Sequence, residues 1–419
     1  MYIRTWMKTF SPRLPPKLGL CGTGILLGSL RVIWTAILFM GVAAAAQNQV
    51  PPTSPKHYHA PRTLPLSKFY ETPEPLPAGK PGELIRVEQA YEYHLSYEAS
   101  TFRILYHSRS PQGKDVAVSG VVLMPDGDPP AGGWPVIAWA HDFVGSARQC
   151  APSLLKNLNE GPVLSMYASL GYAVVASDYA GLGTNFPHAV FDTRSNALDL
   201  IYSIPAARAA LPQLGKKWVV AGYSQGAIVA IGAAETVSEI GDSNYEGAVG
   251  VAGVAEPEEI FERFANRPER SMLVFLAQGV KTVYPEFRIE EILTEKAMTL
   301  YRSISHVCEI RLGSAVVQTD LVKPGWENNP FVKKFWERSR LGGNPAYGPL
   351  LVISGEADTA VPAELTARAV GRLCEQKDRV LFVKYPGLDA SGVLGNSVSE
   401  QISWIKARFS GLPAPSNCR

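Results

Sequence analysis

The segment GYSQG, Gly222 to Gly226, carries the sharpest chemical signal in the chain. It follows an apolar run, KWVVA, and precedes a helical pattern, AIVAIGAAE. Two glycines around Ser224 let the backbone pass from strand to helix in a tight turn, which projects the hydroxyl above a sheet edge. Helix N-terminal amides then converge on the same point, and the Gln225 N–H faces a developing oxyanion. A purely structural turn is the alternative, but a chance GxSxG is seldom flanked by a strand and a helix. Ser224 is therefore the expected nucleophile of an acyl transfer. A serine needs a base and an acid that orients the base. In a strand–turn–helix setting of this kind their order is Ser, then Asp or Glu, then His. VISGEADTAVP supplies the acid: Asp358 lies after a late strand and before a helix that opens near Pro362. Glu356 competes less well, being further from the turn into the helix, and the alternative for Asp358 is a helix cap. The base is missing. No histidine follows His306, so the order cannot be completed downstream of Asp358.

These residues need a frame. Short apolar runs without alternation recur at PVIAWA, YAVVASDY, KWVVAGY, GAVGVAGV, PLLVISG and VLFVKYP, as in strands of a buried parallel sheet. TFRILYHS and DVAVSGVVLMP also read as strands. Helical patterns lie between them, at RSNALDLIYSIPAARAAL, QGAIVAIGAAETV, PAELTARAVGRLCEQ and SVSEQISWIKARF. Strand–helix alternation predicts a mostly parallel, doubly wound α/β sheet. From about Glu256 to Tyr347 the strands stop and amphipathic stretches such as EEIFERFA and NPFVKKFWERSR take over. An insertion between two core strands is well placed to cap a site at their C-terminal ends.

Composition narrows the class. A net charge of +2 with no dense Lys/Arg run argues against a nucleic-acid binder. Basic residues (Arg4, Lys8, Arg13, Lys17, Arg31) precede the apolar run VIWTAILFMGVAAAA. That layout is a signal peptide cleaved near Ala46; a membrane anchor is the rival, but the run is short for a span. The mature chain keeps Cys150, Cys308, Cys374 and Cys418, an even count that suggests two disulfides with three connectivities open. No CxxC pair supports a zinc or redox site. Gln47 to about Pro81 is proline-rich and aperiodic, an extended arm in which KHYHA reads as solvated linker rather than a metal site.

Taken together, FYETPEPLPAGKPGELIR, CAPS after Cys150, SDYAGLGT, GYSQG, GEADTAVP and GVLGNSVSEQISWI resemble the landmarks of the secretory lipase family. The likeness spans most of the mature chain. It implies an α/β-hydrolase core with a helical cap, hydrolysis of acyl esters, and neither metal nor cofactor. It also implies disulfides Cys150–Cys308 and Cys374–Cys418, and places Asp142, in AWAHDFVG, at the oxyanion hole beside Gln225. A carboxyl there helps as a protonated donor or through its backbone N–H, because an ionised one repels an oxyanion. His141 then supports this loop, and His188 matches a structural position of the family. The family's loop after the last strand reads much like YPGLDHSGVLG, and its histidine corresponds here to Ala390. His306 lies in the cap and would have to reach across the cleft. Asp389 is a weak base if its pKa is near that of a free carboxylate, about 4.

The resulting expectation is a secreted or periplasmic serine ester hydrolase of lipase or esterase type, acting through an acyl-enzyme on Ser224. As written it is severely impaired, because Ala390 stands at the triad base position. A catalytically silent acyl-ligand binding homologue is the alternative, and a serine peptidase on the same fold a third. The expected partner is a small-molecule or lipid acyl ester, with transient contact at a lipid interface; the expected state is a monomer. The expected divisions are a signal peptide (1–46), an extended N-terminal arm (47–90), a first core part (91–255), a helical cap (256–347) and a second core part (348–419). GLGTNF lacks the final glycine of a nucleotide loop. Cap aromatics Phe261, Phe275, Phe331, Phe335 and Trp336 serve helix packing first and an acyl tunnel second.

Overall fold

β-Branched runs that are apolar on both faces need cover on both sides, and the sheet they build has it. The computed structural model describes residues 63–306, 308 and 320–418. All of these lie in one of the two units into which the chain divides, His59–Arg419. The expected signal peptide, the KHYHA histidines and the first part of the arm fall outside the described residues. The strands are β1 (Leu84–Ala90), β2 (Ser100–Arg109), β3 (Asp115–Met124), β4 (Trp134–Ala140), β5 (Ala173–Ser177), β6 (Leu214–Tyr223), β7 (Tyr245–Val251), β8 (Leu350–Gly355) and β9 (Val380–Tyr385). They form one sheet in the order β1-β2-β3-β5-β4-β6-β7-β8-β9. Pairing is antiparallel from β1 through β5 and parallel from β5 to β9.

The helices are α1 (Gly161–Ser169), α2 (Thr193–Ala210), α3 (Gln225–Ile240), α4 (Pro257–Ala265), α5 (Met272–Val283), α6 (Glu295–Ser303), α7 (Pro330–Ser339), α8 (Ala363–Glu375), α9 (Ala390–Asn396) and α10 (Val398–Phe409). Successive strand residues point to opposite faces. Val136, Ala138 and Val220 therefore pack with Leu200 of α2, Ala230 of α3 and Leu373 of α8. Their neighbours Ile137, Trp139 and Val219 pack on the other face with Leu164 of α1, Val393 of α9 and Trp404 of α10. This is the doubly wound α/β sheet that the alternation predicts.

Two elements depart from the sequence pattern. β1 lies within the segment read as an extended arm. It pairs with β2 alone, at the sheet edge, so its polar Arg86, Glu88 and Gln89 are tolerated and mask the strand signal. α9 occupies a segment that reads as loop. Its glycine-rich sequence has little helix propensity, but the Asp389 side chain accepts from the Gly392 N–H at 2.8 Å as an N-cap.

Between β7 and β8, helices α4 to α7 share an apolar core of their own around Phe261, Leu276, Val280, Phe335 and Trp336. Phe143, Ala189, Val190 and Phe191 join that core from the sheet's loops. Cys150 pairs with Cys308, and Cys374 with Cys418. The first bridge brings the chain after α6 onto the loop after β4; a Cβ on Gly145 would stand 2.3 Å from the Cys308 carbonyl oxygen.

The order around β4 fixes where a ligand can enter. From β4 the chain moves to β5 on one side, then crosses to β6 on the other. The C-terminal ends of β4 and β6 are neighbours, with Ala140 opposite Gly222. Such a reversal opens a crevice at the strand ends. Asp142 follows one of these ends and Ser224 the other.

Candidate active site

Ser224 stands between β6 and α3 with φ 53° and ψ −118°, a strained conformation for any residue with a side chain. Its N–H donates to the Val251 carbonyl at 3.0 Å, and its own carbonyl accepts from the Ala227 N–H at 2.9 Å. The flanking glycines answer to close approach rather than to a left-handed φ. A Cβ on Gly222 would lie 2.1 Å from the Gly226 oxygen, and one on Gly226 would lie 1.9 Å from the Ala140 oxygen. The third glycine here, Gly253, leaves room for the Ser224 carbonyl, 2.2 Å from where its Cβ would be. No larger residue fits at any of the three without moving backbone.

Asp142 faces this elbow from the loop after β4, half-buried like Ser224. Its carboxyl accepts from the Phe143 N–H at 2.6 Å and stands 3.5 Å from the Gln225 N–H. Burial raises the Asp142 pKa, and the Phe143 and Gln225 N–H groups and the nearby Ser224 hydroxyl only partly offset that. The backbone N–H of Asp142 points elsewhere, to Glu160 Oε1 at 3.3 Å. Of the two ways in which Asp142 could serve an oxyanion, the structure thus occupies the backbone route and leaves the side chain.

His141 carries Nδ1 against the Asp142 carbonyl at 2.5 Å and Nε2 against the Asp178 carbonyl at 3.3 Å. Burial holds its pKa down to about 4, and the ring packs on Tyr179 with centroids 4.2 Å apart. His188 is also buried, Nδ1 against the Ala180 carbonyl at 2.9 Å, its pKa pushed down to about 3. Both rings are neutral and tied to carbonyls of nearby loops. His306 is exposed, beyond the end of α6.

Asp358 is largely buried after β8. Its Oδ1 accepts from the Ala360 and Val361 N–H groups, each at 2.9 Å, which closes the turn into α8 while Pro362 takes the cap position itself. Glu356, its competitor, turns outward to Lys384 at 3.2 Å. Two backbone bonds lock this loop to the one after β9: Glu356 N–H to the Tyr385 carbonyl at 3.0 Å, and Ala357 N–H to the Leu388 carbonyl at 2.9 Å. Gly355 permits that approach, since its Cβ would lie 2.2 Å from the Leu388 oxygen. Ala390 therefore opens α9 directly beside the acid loop. Asp389 caps α9 through Oδ1 and is exposed. Tyr223 senses the charges of this cluster. Burial, followed by the charge of Asp142, pushes its pKa up to about 12; Ser391 opposes the rise and Asp358 adds to it. Ser224, Gln225, Asp142, Asp358 and Ala390 thus lie after the C-terminal ends of β4, β6, β8 and β9, and His306 lies beyond the end of α6.

The secretory lipase family model matches residues 159–417. The chain belongs to the secretory lipase family. By ancestry this secretory lipase is a carboxylic ester hydrolase. Candida antarctica lipase A in its closed state superposes with a TM-score of 0.69 at 19% identity, covering 84% of this chain and 88% of that one. The rice cell wall degrading esterase LipA of Xanthomonas oryzae gives 0.65 at 18%, covering 79% and 98%. A putative hydrolase of Legionella pneumophila gives 0.63 at 18%, covering 78% and 98%. These likenesses establish the α/β-hydrolase fold. No curated protein sequence matches the chain. A secretory family and two disulfides accord with export, and among the described residues no helix is long and apolar enough to cross a membrane.

Sequence reasoning passed over two residues of the site. Tyr223 sits inside GYSQG, where its position invites no role beyond the turn. Glu160, in NLNEGP, reads as an acid at a helix start. Its carboxyl instead turns inward to Trp139 Nε1 at 3.4 Å, to the Asn159 side-chain amide and to the Asp142 N–H. Nothing in a local pattern separates a capping acid from one that turns into the core.

Proposed function

We propose that the chain is an exported serine ester hydrolase scaffold whose acyl-enzyme forms on Ser224, with Asp358 as the triad acid and position 390 as the seat of the base. The observation that carries this reading is the lock between the loops after β8 and β9, where the Ala357 N–H meets the Leu388 carbonyl, one residue before Asp358 and two before position 390. A histidine at position 390 would complete the order Ser, Asp, His on the strand ends where that order operates. With Ala390 the triad lacks its base. What remains is roughly 10³–10⁴-fold catalysis over water from the oxyanion site and binding. The substrate class is an acyl ester, small or lipid.

The test is Ala390→His, assayed with short- and long-acyl p-nitrophenyl esters against the parent chain. The expected gain in kcat/KM is on the order of 10³-fold, abolished by Ser224→Ala. A folded His variant as inert as the parent would sink the proposal.

A further inference from the structure

The turn after β8 is held by a side chain from outside the sheet. Its Thr359–Ala360 peptide donates through the Ala360 N–H to Asp358 Oδ1 at 2.9 Å. The carbonyl of that same peptide accepts from Arg263 of α4, from Nε at 3.2 Å and from Nη2 at 3.0 Å. We propose that Arg263 is a positioning residue for Asp358: by clasping the Thr359 carbonyl it fixes the peptide plane whose N–H aims the carboxyl. This rests on the reading of Asp358 as triad acid given above.

A peptide unit is planar and rigid, with its C=O and N–H on opposite sides. A guanidinium that fixes the carbonyl therefore also fixes the N–H, and with it one of the two bonds that orient Asp358. The second bond, from the Val361 N–H at 2.9 Å, falls on the same oxygen, so both depend on the course of residues 359–361. The donor is charged, which strengthens its bonds and polarises the peptide toward the carboxylate. Thr359 is exposed, where a turn carbonyl ordinarily faces water. A half-buried arginine from another element holds it instead.

The sequence of α4 makes the helix a fixed support for this contact. Glu256, its N-cap, Glu259 and Arg263 are three and four residues apart and share one face. Glu256 pairs with Arg372, and Glu259 with Arg368 at 3.0 Å, both on α8, which begins where the acid turn ends. Phe261 and Phe264 lie on the far side of α4, where Phe261 packs on Phe191 and Trp336. Held on both sides, α4 presents Arg263 at one place. The arginine's charge acts in the same sense as its hydrogen bonds. Burial raises the Asp358 pKa and Asp389 adds to the rise, while Arg263 joins the Val361 and Ala360 N–H groups in opposing it.

The experiment follows amide hydrogen exchange, resolved to single residues by mass spectrometry, in the parent chain, Arg263→Ala, Arg263→Lys and Arg368→Ala. Arg263→Ala should speed exchange at Ala360 and Val361 by about tenfold, the loss of a hydrogen bond to a charged group, while buried Val220 of β6 stays protected. Arg263→Lys should recover part of the protection, because it restores charge without the guanidinium fork. Arg368→Ala breaks the neighbouring pair between α4 and α8 and should leave both amides as they are. Kinetics come from the Ala390→His background with p-nitrophenyl acetate. There Arg263→Ala should lower kcat by about 10- to 10²-fold with KM little changed, the mark of a displaced triad acid rather than of lost binding. Unchanged exchange at Ala360 and Val361 in Arg263→Ala overturns the proposal, as does an equal rise in Arg368→Ala, which would mean general loosening. An unchanged kcat in an active Ala390→His background overturns it too. If folded Ala390→His is inert while exchange responds to Arg263 alone, the clasp stands and the triad reading falls by itself.

Discussion

At the scale of single residues, the site is defined by where side chains are forbidden as much as by where they are required. Gly222, Gly226 and Gly253 admit no Cβ, and they crowd Ser224 into a left-handed φ that only glycine adopts freely. Strain of this kind costs of order 1–3 kcal/mol and persists because the surrounding backbone over-determines it. Ser224→Gly should therefore stabilise the fold by about 1 kcal/mol in denaturant unfolding. Ser224→Ala keeps a Cβ and should gain much less. Equal midpoints for the two variants would mean that the elbow stores no strain. The elbow at Ser224 was legible in the sequence because the serine and its glycines are contiguous. Ala390 was legible only against a family pattern, since an alanine beside an aspartate announces nothing. Asp142 and Glu160 meet through a turn and a helix start 18 residues apart, and no local spacing reveals that contact.

At the scale of elements, the parallel strands and their covering helices could be read directly, because burial on both faces leaves unbroken apolar runs. The elements missed are those held by few contacts of their own type: an edge strand with polar residues, and a short helix held by one cap. The helices between β7 and β8 are tied to α2 by a specific pair that no periodicity encodes. Asp192 caps α2, accepting from the Ser195 N–H at 3.2 Å, and is fully buried. Arg338 of α7 reaches its carboxylate at 2.8 Å. Arg338→Ala would leave a buried carboxylate without its cation, a change worth about 3 kcal/mol or more for buried pairs. The expected outcome is a lower unfolding midpoint together with faster proteolysis in α4 to α7. Arg338→Lys should recover part of the loss, since it restores charge without the guanidinium geometry. A midpoint unchanged in Arg338→Ala would show that the aromatic contacts of Phe143, Phe191 and Phe261 hold these helices alone.

At the scale of the whole molecule, the core around the strand ends is rich in enclosed acids. Burial raises Asp178 to about 6, Asp199 and Glu235 to about 7, and Glu160 to about 8. In the unfolded chain these carboxyls titrate near 4. Between about pH 4 and pH 8 the folded state therefore binds more protons than the unfolded one, and stability must fall as pH rises. The preference is complete below the unfolded values and is lost as each folded value is passed. Glu92 and Asp242, whose pKa values are lowered, act in the opposite sense on the acid side of this window, and the buried His141 and His188, held down at about 4 and 3, oppose it up to about pH 6.5 but are outweighed by the four acids. The unfolding temperature should accordingly be higher near pH 5 than near pH 8. Asp199 accepts from Ser108 at 2.5 Å and from the Ala180 N–H at 2.8 Å, so Asp199→Asn keeps an acceptor there and should flatten the slope. A midpoint that climbs from pH 5 to pH 8 in the parent would mean that these acids are ionised and solvated throughout.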